Sequence, residues 1–191
     1  NAISSALFGR PGPVWLDVPM DVQGAFFDES IISTSLAPQQ NAFDIHLASN
    51  GIEKVRNLIM SSQRPVFVCG HGIRIARALP IFEKITTCLR MPLLTTFNGF
   101  DIVASDNPLS VGRIGTIGNR AGNFALQNAD LVLSVGSRNN IRQISYNWDN
   151  FAQGAKKVVV DIDEAELSKP TLKPDIAVHC DAKYFLDKPD L

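Results

Sequence analysis

Three segments combine glycine with basic residues where a strand is predicted to end or a helix to begin. Gly70-His71-Gly72 follows the apolar run 66–69, and glycines there let backbone N–H groups approach an anion at the next helix. Gly112 to Arg120 is glycine-rich, and its guanidinium groups suit bidentate contact with phosphate. Gly136 to Arg142 follows the apolar run 131–135. These segments predict an anion or nucleotide site; a tight turn, a flexible surface loop and solvated arginines are the respective alternatives.

The third segment carries Arg138 and Arg142, four residues apart. If this stretch is helical, the two guanidinium groups share one face of the helix. The acidic candidates are Asp161 and Asp163, at the end of the strand predicted at 157–163. Their side chains point to opposite sides of a strand, so they do not form a paired general acid and base. One of them suits a ribose hydroxyl, and Asp163 is also placed to cap a following helix.

Composition and charge exclude several classes of protein. The 191 residues hold 18 basic and 19 acidic side chains without a run of either sign, so no nucleic acid partner is expected. Apolar runs are far shorter than the roughly 20 residues that cross a bilayer, so no membrane partner is expected. The first eight residues lack the features of a signal peptide, which predicts a cytoplasmic location. Cys69, Cys88 and Cys180 lack metal-ligand spacing and are expected to be buried free thiols.

Apolar runs alternate with helix-forming segments along most of the chain. Continuous β-branched runs are typical of parallel strands that helices cover on both faces. We therefore predict an α/β fold of three layers, doubly wound around a mostly parallel sheet. Strands are predicted at 14–19, 66–69, 93–96, 131–135, 157–163 and 177–180.

Helices are predicted between most of these strands. Ser49 or Asn50 can cap the first of them. A second covers roughly 73–90, in which Pro80 is either a kink or a break. Two more are predicted at about 119–128 and 164–168. No catalytic triad is predicted, because the histidines are not grouped with a serine or cysteine nucleophile.

Taken in order, these motifs resemble the acetolactate-synthase-like family of thiamine-diphosphate enzymes. Gly9-Arg10-Pro11-Gly12-Pro13-Val14, with Asp17-Val18-Pro19, resembles the end of that family's pyrimidine-binding domain. The motifs that resemble its middle domain are Arg64-Pro65-Val66, Gly70-His71-Gly72, Gly112 to Thr116, Ala129-Asp130-Leu131, Gly136-Ser137-Arg138, Arg142, Phe151-Ala152 and Asp161 to Lys169.

The resemblance implies a middle domain with a six-stranded parallel sheet, which binds FAD in some members, an ADP-like group in others and nothing in many. The chain departs from the family's pattern at Arg113-Ile114, where Met-His is common, and at Asn139-Asn140, which replaces Phe-Asp. The nucleotide contacts that it implies are Gly70, His71, Gly72, Gly112, Arg113, Gly115, Thr116, Arg138, Arg142, Asp161 and Asp163.

The resemblance also implies a domain organisation and a parent enzyme. Residues 1–23 would end a pyrimidine-binding domain, 24–48 would form a linker, 49–186 the middle domain, and 187–191 the start of a linker to a further domain. The family's catalytic glutamate and its Gly-Asp-Gly motif are not in this sequence, so we expect a piece of a longer protein that is inactive alone. The parent would be a homo-oligomer that acts on 2-oxo acids with thiamine diphosphate and Mg²⁺. The pyrimidine- and diphosphate-binding domains would be the partners of this chain.

Two alternatives stay open at this point. The same sheet suits a stand-alone NAD-binding or interaction module of the sirtuin or deoxyhypusine-synthase type, although zinc-type cysteine spacing is lacking and the Gly9 to Val14 motif does not fit such a module. A purely structural spacer without a ligand is compatible with the middle-domain hypothesis.

Overall fold

The computed structural model describes residues 2–7, 9–28, 30 and 43–188 of the chain. The chain divides into two compact units, Asn1–Ala42 and Phe43–Leu191. Residues 29 and 31–42, within the linker predicted at 24–48, lie outside the described residues, as do residues 189–191 of the last predicted segment. The predicted domain boundaries therefore stay predictions.

The first unit has two short helices, α1 (Ala2–Leu7) and α2 (Met20–Gln23). Residues 11–19 between them have no regular secondary structure, so the strand predicted at 14–19 is wrong. An apolar run forms a β-strand only when a neighbouring strand pairs with its backbone N–H and C=O groups. Among the described residues, none forms such a ladder with residues 14–19.

The second unit is built on a sheet of six strands. These are β1 (Pro65–Cys69), β2 (Leu93–Thr95), β3 (Ser110–Arg113), β4 (Leu131–Val135), β5 (Lys156–Asp161) and β6 (Ile176–His179). Their order across the sheet is β3-β2-β1-β4-β5-β6, and every neighbouring pair is parallel. This arrangement confirms the predicted doubly wound α/β class, with the strand order reversing between β1 and β4.

Helix α3 (Ile45–Ser61) packs over β6 on one face of the sheet. It begins at Asp44, whose carboxylate accepts hydrogen bonds from the N–H groups of His46 and Leu47 at 2.8 and 3.0 Å. The predicted start at Ser49 or Asn50 is wrong, because Asp44 already caps the helix five or six residues earlier. The later helices are α4 (Gly72–Ile75), α5 (Leu79–Leu89), α6 (Arg120–Gln127), α7 (Ile141–Ile144), α8 (Glu164–Ser168) and α9 (Ala182–Leu186).

The helix predicted at 73–90 is interrupted, and its two parts are α4 and α5. Pro80 lies in the first turn of α5, where the N–H that proline lacks would have no partner within the helix. Pro80 therefore marks a break, one of the two predicted alternatives. The helices predicted at 119–128 and 164–168 are confirmed as α6 and α8.

Alternate residues of the central strands pack into two separate cores. Phe67 and Leu133 belong to the core that α3, α5 and α9 cover, whereas Val68 and Val132 belong to the core beneath α6 and α8. A strand with both faces buried has no polar positions, which explains why the sequence shows continuous apolar runs. Within the described residues, no helix is both long and apolar enough to cross a membrane.

Strand β3 was not among the strands predicted from the sequence. It lies at the edge of the sheet with β2 as its neighbour, and Gly112 within it has a φ of +130°. A short edge strand that contains glycine has the composition of a loop, so it gives little strand signal. The expectation of three buried cysteines is also wrong at one position, because Cys88 is exposed on α5 while Cys69 and Cys180 are buried.

Candidate functional site

The carboxyl ends of β1 and β4 lie side by side where the strand order reverses. In doubly wound sheets, ligands bind outside the strand ends at this point. The loops that follow the two strands touch: a Cβ atom at Gly70 would overlap the carbonyl group of Gly136, and one at Gly72 would lie 2.6 Å from the Gly136 Cα. The structure thus brings the first and third predicted segments together, and glycine is needed for their close approach.

The backbone N–H groups of these loops already donate within the protein. Gly70 donates to the carbonyl oxygen of Val135 at 3.0 Å and Gly72 to that of Gly136 at 2.8 Å. Gly136 in turn donates to the carbonyl oxygen of Val160 at 2.9 Å. The N–H groups of Gly70 and Gly72 are therefore occupied within the protein and do not offer themselves to an anion.

The turn from β3 to α6 packs onto the segment after β4. A Cβ atom at Gly115, whose φ is +97°, would lie 2.5 Å from the carbonyl oxygen of Arg142. The N–H of Thr116 donates to that same oxygen at 2.9 Å. The side-chain amide of Asn123 accepts from the Gly115 N–H at 2.9 Å and donates to its carbonyl oxygen at 3.1 Å. These contacts join the second predicted segment to the third.

Arg138 and Arg142 do not share a helical face, because α7 begins only at Ile141. The Nε of Arg138 donates to Glu166 at 2.7 Å, and Lys169 lies 2.8 Å from the same carboxylate. Lys169 also donates to the carbonyl oxygen of Arg138. Arg142 is exposed and forms no ion pair with a residue between 43 and 188. Of the two arginines, Arg142 is the one that no described carboxylate neutralises.

A buried polar network supports the loop that carries Arg138. Asn139 is 2% exposed with a φ of +44°, and its amide exchanges hydrogen bonds with the Ser134 hydroxyl at 3.2 and 3.1 Å. The hydroxyl of Ser137 donates to Oε1 of Gln143 at 3.2 Å. Sequence reasoning identified Asn139 only as a departure from a family pattern, because the partners of a buried amide cannot be read from its neighbours in sequence.

The two acidic candidates lie at the carboxyl end of β5. Asp161 is 8% exposed, and its Oδ1 accepts the N–H of Asp163 at 3.0 Å. Asp163 caps α8 by accepting the N–H of Ala165 at 3.0 Å, as predicted. A contact of either carboxylate with a ribose stays a prediction.

A cavity of about 490 Å³ opens over the carboxyl ends of β1, β2 and β3. The predicted residues His71 and Arg113 line it together with Arg74. Arg74, which lies three residues after His71 on α4, was not predicted to contribute. The loop after β2 was not predicted either, because only the strand order places it beside His71. The other lining residues are Phe97, Asn98, Phe100 and Asp101.

A second cavity, of about 340 Å³, lies between α6 and α7. Its polar lining consists of uncharged side chains, among them Asn123, Gln127 and Gln143. Within residues 2–7, 9–28, 30 and 43–188, no cluster of three or more His, Cys, Asp or Glu side chains could hold a metal ion. The charged groups at the carboxyl edge of the sheet are therefore the main candidates for ligand recognition.

One region of the chain matches a known protein family. It contains the parallel sheet, the reversal of strand order between β1 and β4, and the joined glycine segments. Residues 52–188 match the family described as thiamine pyrophosphate enzyme, central domain. The chain belongs to this family. Every residue predicted to contact a nucleotide lies within the matched residues of this central domain.

Similar proteins support the same family. The large subunit of acetolactate synthase isozyme 1 from Escherichia coli is 35% identical over 188 residues, which cover 97% of this chain and 32% of that protein. The isozyme 2 large subunit from the same organism is 32% identical over 169 residues, covering 88% of this chain and 30% of that protein. A probable acetolactate synthase large subunit from Methanococcus aeolicus is 32% identical over 190 residues, covering 97% of this chain and 31% of that protein. This central domain chain thus spans about a third of the length of these relatives.

Proposed function

We propose that the chain serves as scaffold and as a nucleotide site, for FAD or an ADP-like group, within an acetolactate-synthase-like enzyme. One observation carries the nucleotide part of this proposal. The three predicted segments converge on the carboxyl edge of the sheet, on both sides of the point where the strand order reverses. That point is where doubly wound sheets bind mononucleotides and dinucleotides.

The dimensions of this edge suit an extended ligand. Arg113 ends β3 and Asp161 ends β5, with four strand spacings between them. Because neighbouring strands lie roughly 4.8 Å apart, the two residues mark an edge about 19 Å long. In the proposed complex, Arg142 and Arg113 would contact phosphate oxygens, and the carboxylates at the end of β5 would accept hydrogen bonds from a ribose.

Calorimetric titration of the purified chain with FAD, ADP and NAD tests the nucleotide site. We expect micromolar affinity for FAD or ADP, and we expect Arg142→Met to weaken it about ten-fold, because a charge-assisted hydrogen bond to phosphate is lost. Arg56→Met is the matched control, since Arg56 is exposed on α3, outside the three predicted segments. Equal affinities in both variants would place the nucleotide elsewhere.

One observation favours a second candidate, a scaffold that holds no nucleotide. The N–H groups of Gly70, Gly72 and Gly136 at the strand ends donate to carbonyl groups of the chain, so they do not require a ligand. The same titrations decide between the candidates. Heats that stay at the dilution level for all three nucleotides would support the scaffold.

The proposal for the parent enzyme is decarboxylation or carboligation of 2-oxo acids, as suggested by relatives that are named acetolactate synthases. Thiamine diphosphate, bound with Mg²⁺, would supply the carbanion chemistry of that reaction. This chain would position the pyrimidine- and diphosphate-binding domains, which are its expected partners in a homo-oligomer. The cytoplasmic location stays a prediction from the sequence.

The parent proposal is tested by assaying acetolactate formation from pyruvate with thiamine diphosphate and Mg²⁺. We expect activity from a protein that joins this chain to pyrimidine- and diphosphate-binding domains, and none from the 191-residue chain alone. Turnover by the chain alone would refute the assignment of a scaffold role.

A further inference from the structure

The cavity between α6 and α7 is lined by uncharged groups. Its volume of about 340 Å³ falls within the range of small-molecule sites, which is roughly 300 to 1,000 Å³. Among the described residues, no lysine, arginine, aspartate or glutamate lines it. A charged ligand would enter such a cavity without a counter-charge, and burying an unpaired charge is unfavourable. The lining therefore favours a neutral ligand.

Four side chains of this lining have unused hydrogen-bonding capacity. Gln127, Ser145, Asn147 and Asn150 are exposed, and none of their side chains hydrogen-bonds to another residue between 43 and 188. A carboxamide group offers both donors and an acceptor, and a hydroxyl group does the same. Such side chains suit the hydroxyl groups of a ligand, because those also donate and accept.

The deepest residues of the same cavity are apolar. Leu126, Ile144 and Phe151 line it and are 2%, 2% and 4% exposed, and all three belong to the core beneath α6 and α8. Small-molecule sites commonly combine an apolar surface with a few polar groups that orient the ligand. A monosaccharide has hydroxyl groups around its edge and C–H groups on its faces. It therefore matches polar walls above an apolar floor.

The backbone at Ser145 is strained. Its φ is +67° and its ψ is −174°, a conformation that residues other than glycine rarely adopt. Strain of this kind persists only where the surrounding structure enforces it, and it is concentrated at functional sites. Helix α7 ends at this residue, and the chain then continues through Asn147 along the cavity. The strained turn thus brings two of the four unused side chains to the lining.

We infer that this cavity binds a neutral polyhydroxylated ligand of monosaccharide size. The inference is independent of the proposed nucleotide site, because Arg113, Arg138 and Arg142 do not line the cavity. Two residues of the predicted nucleotide site, Gly115 and Thr116, do line it. The N–H and the hydroxyl of Thr116 already donate to the carbonyl oxygen of Arg142, so the ligand is held by the four unused side chains.

The test is titration of the ¹⁵N-labelled chain with D-glucose, D-galactose and D-mannose, followed through the side-chain NH₂ signals in NMR spectra. We expect at least one sugar to bind with millimolar affinity and to shift the signals of Gln127, Asn147 and Asn150. The signals of Asn57, which is exposed on α3, should stay in place. The absence of a shift with all three sugars, or an equal shift at Asn57, would overturn the inference.

Leucine variants remove single carboxamides at nearly the same side-chain volume. Gln127→Leu, Asn147→Leu and Asn150→Leu each delete one pair of NH₂ signals and so assign them. Each should weaken sugar binding about five-fold, the contribution of one net hydrogen bond. Asn57→Leu is the matched control and should leave the affinity unchanged, whereas all four variants should unfold at the temperature of the unmodified chain. Equal weakening in the control would contradict binding at this cavity.

The uronate of the sugar that binds tests the requirement for a neutral ligand. It keeps the ring and adds a carboxylate, so we expect it to bind at least ten-fold more weakly, because the lining offers no counter-charge. Tighter binding of the uronate would refute the assignment of a neutral ligand.

Titration with ADP keeps this inference separate from the nucleotide proposal. Sugar binding without any binding of ADP would retain the sugar site and remove the nucleotide site. ADP binding that Arg142→Met weakens, in a chain that binds none of the three sugars, would do the reverse.

Discussion

Gly72 donates its backbone N–H to the carbonyl oxygen of Gly136 across 2.8 Å, at the point where the strand order of the sheet reverses. This contact fixes two loops that are separated by 64 residues of sequence to each other before any ligand arrives. Both loops belong to segments that are predicted to bind an anion or nucleotide. The folded chain therefore sets the relative positions of these segments without a ligand.

Gly72→Ala tests how closely these loops must approach. The new Cβ would lie 2.6 Å from the Gly136 Cα, and the backbone atoms of two loops that are hydrogen-bonded to each other have little room to move. We expect the free energy of unfolding, measured with urea, to fall by about 2 kcal/mol, as for other overpacked sites. Gly154→Ala is the control, because nothing lies within 4 Å of the added Cβ there. Equal stabilities of the two variants would contradict the argument.

Glu166→Gln tests whether Arg138 is available to a nucleotide. Glu166 pairs with Arg138 at 2.7 Å, and Arg138 is 60% exposed. An exposed ion pair of this kind contributes less than about 1 kcal/mol. Removing it frees the Arg138 guanidinium for a phosphate, so the affinity for ADP should rise by roughly three-fold. The control is Asp175→Asn, which breaks the 2.8 Å pair with Lys156 at the amino end of β5. An unchanged affinity in Glu166→Gln would show that Arg138 does not touch ADP.

The carboxylate of Asp130 is expected to stabilise the folded chain at neutral pH and to lose this effect in acid. Its carboxylate accepts the N–H groups of Gln63 and Arg64 at 2.8 and 2.9 Å. Burial raises the pKa of Asp130, but the two N–H groups and the Arg64 charge together outweigh burial and hold the pKa below its ordinary value. Because the pKa is lower in the folded chain, the stabilisation is complete above about pH 4, the value of the unfolded chain, and is lost as pH falls through the folded value.

Asp130→Asn should therefore be less stable than the unmodified chain by about 1 kcal/mol at neutral pH. Urea unfolding at neutral pH and at pH values below about 4 measures the difference, which should shrink in acid as the native carboxylate takes up its proton. A difference that is the same at every pH would mean that the charge of Asp130 contributes nothing.

The cysteines should differ in their reactivity with a thiol reagent. Cys69 and Cys180 are fully buried; burial raises the pKa of both thiols, to about 12 for Cys180, where the charge of Asp181 adds to it. Cys88 is exposed. Because the thiolate is the reactive form, we expect one thiol to react in the native chain and all three in urea. Native Cys88→Ser should not react, and labelling of that variant would indicate opening of the core.

Much of the sheet could be predicted because its strands are apolar on both faces. The ends of β1, β4 and β5 were predicted to within about two residues, since continuous apolar runs such as Val158 to Val160 are typical of strands buried on both faces. β3 was missed because a glycine-containing edge strand lacks this signal. The run from Val14 to Val18 shows the opposite error, since local composition does not reveal whether a partner strand exists.

The candidate site was only partly predictable for a similar reason. The glycines after β1 and β4 show where loops approach each other, but not that Gly70 and Gly72 donate to the carbonyl oxygens of Val135 and Gly136. The pair between Arg138 and Glu166 joins residues 28 positions apart, and the contact of Arg74 with Asp101 likewise depends on how loops meet. Such contacts arise from the strand order, which no single segment of the sequence contains.

The internal hydrogen bonds of the strand-end loops have a consequence for how this domain can diverge. Because the loops support one another through backbone atoms, exposed residues such as Arg113 and Arg142 can be exchanged without loss of the sheet. Relatives with the same architecture are thus free to acquire, change or discard a ligand through a few surface substitutions. In this domain, inheritance of the fold and inheritance of the ligand are separable events.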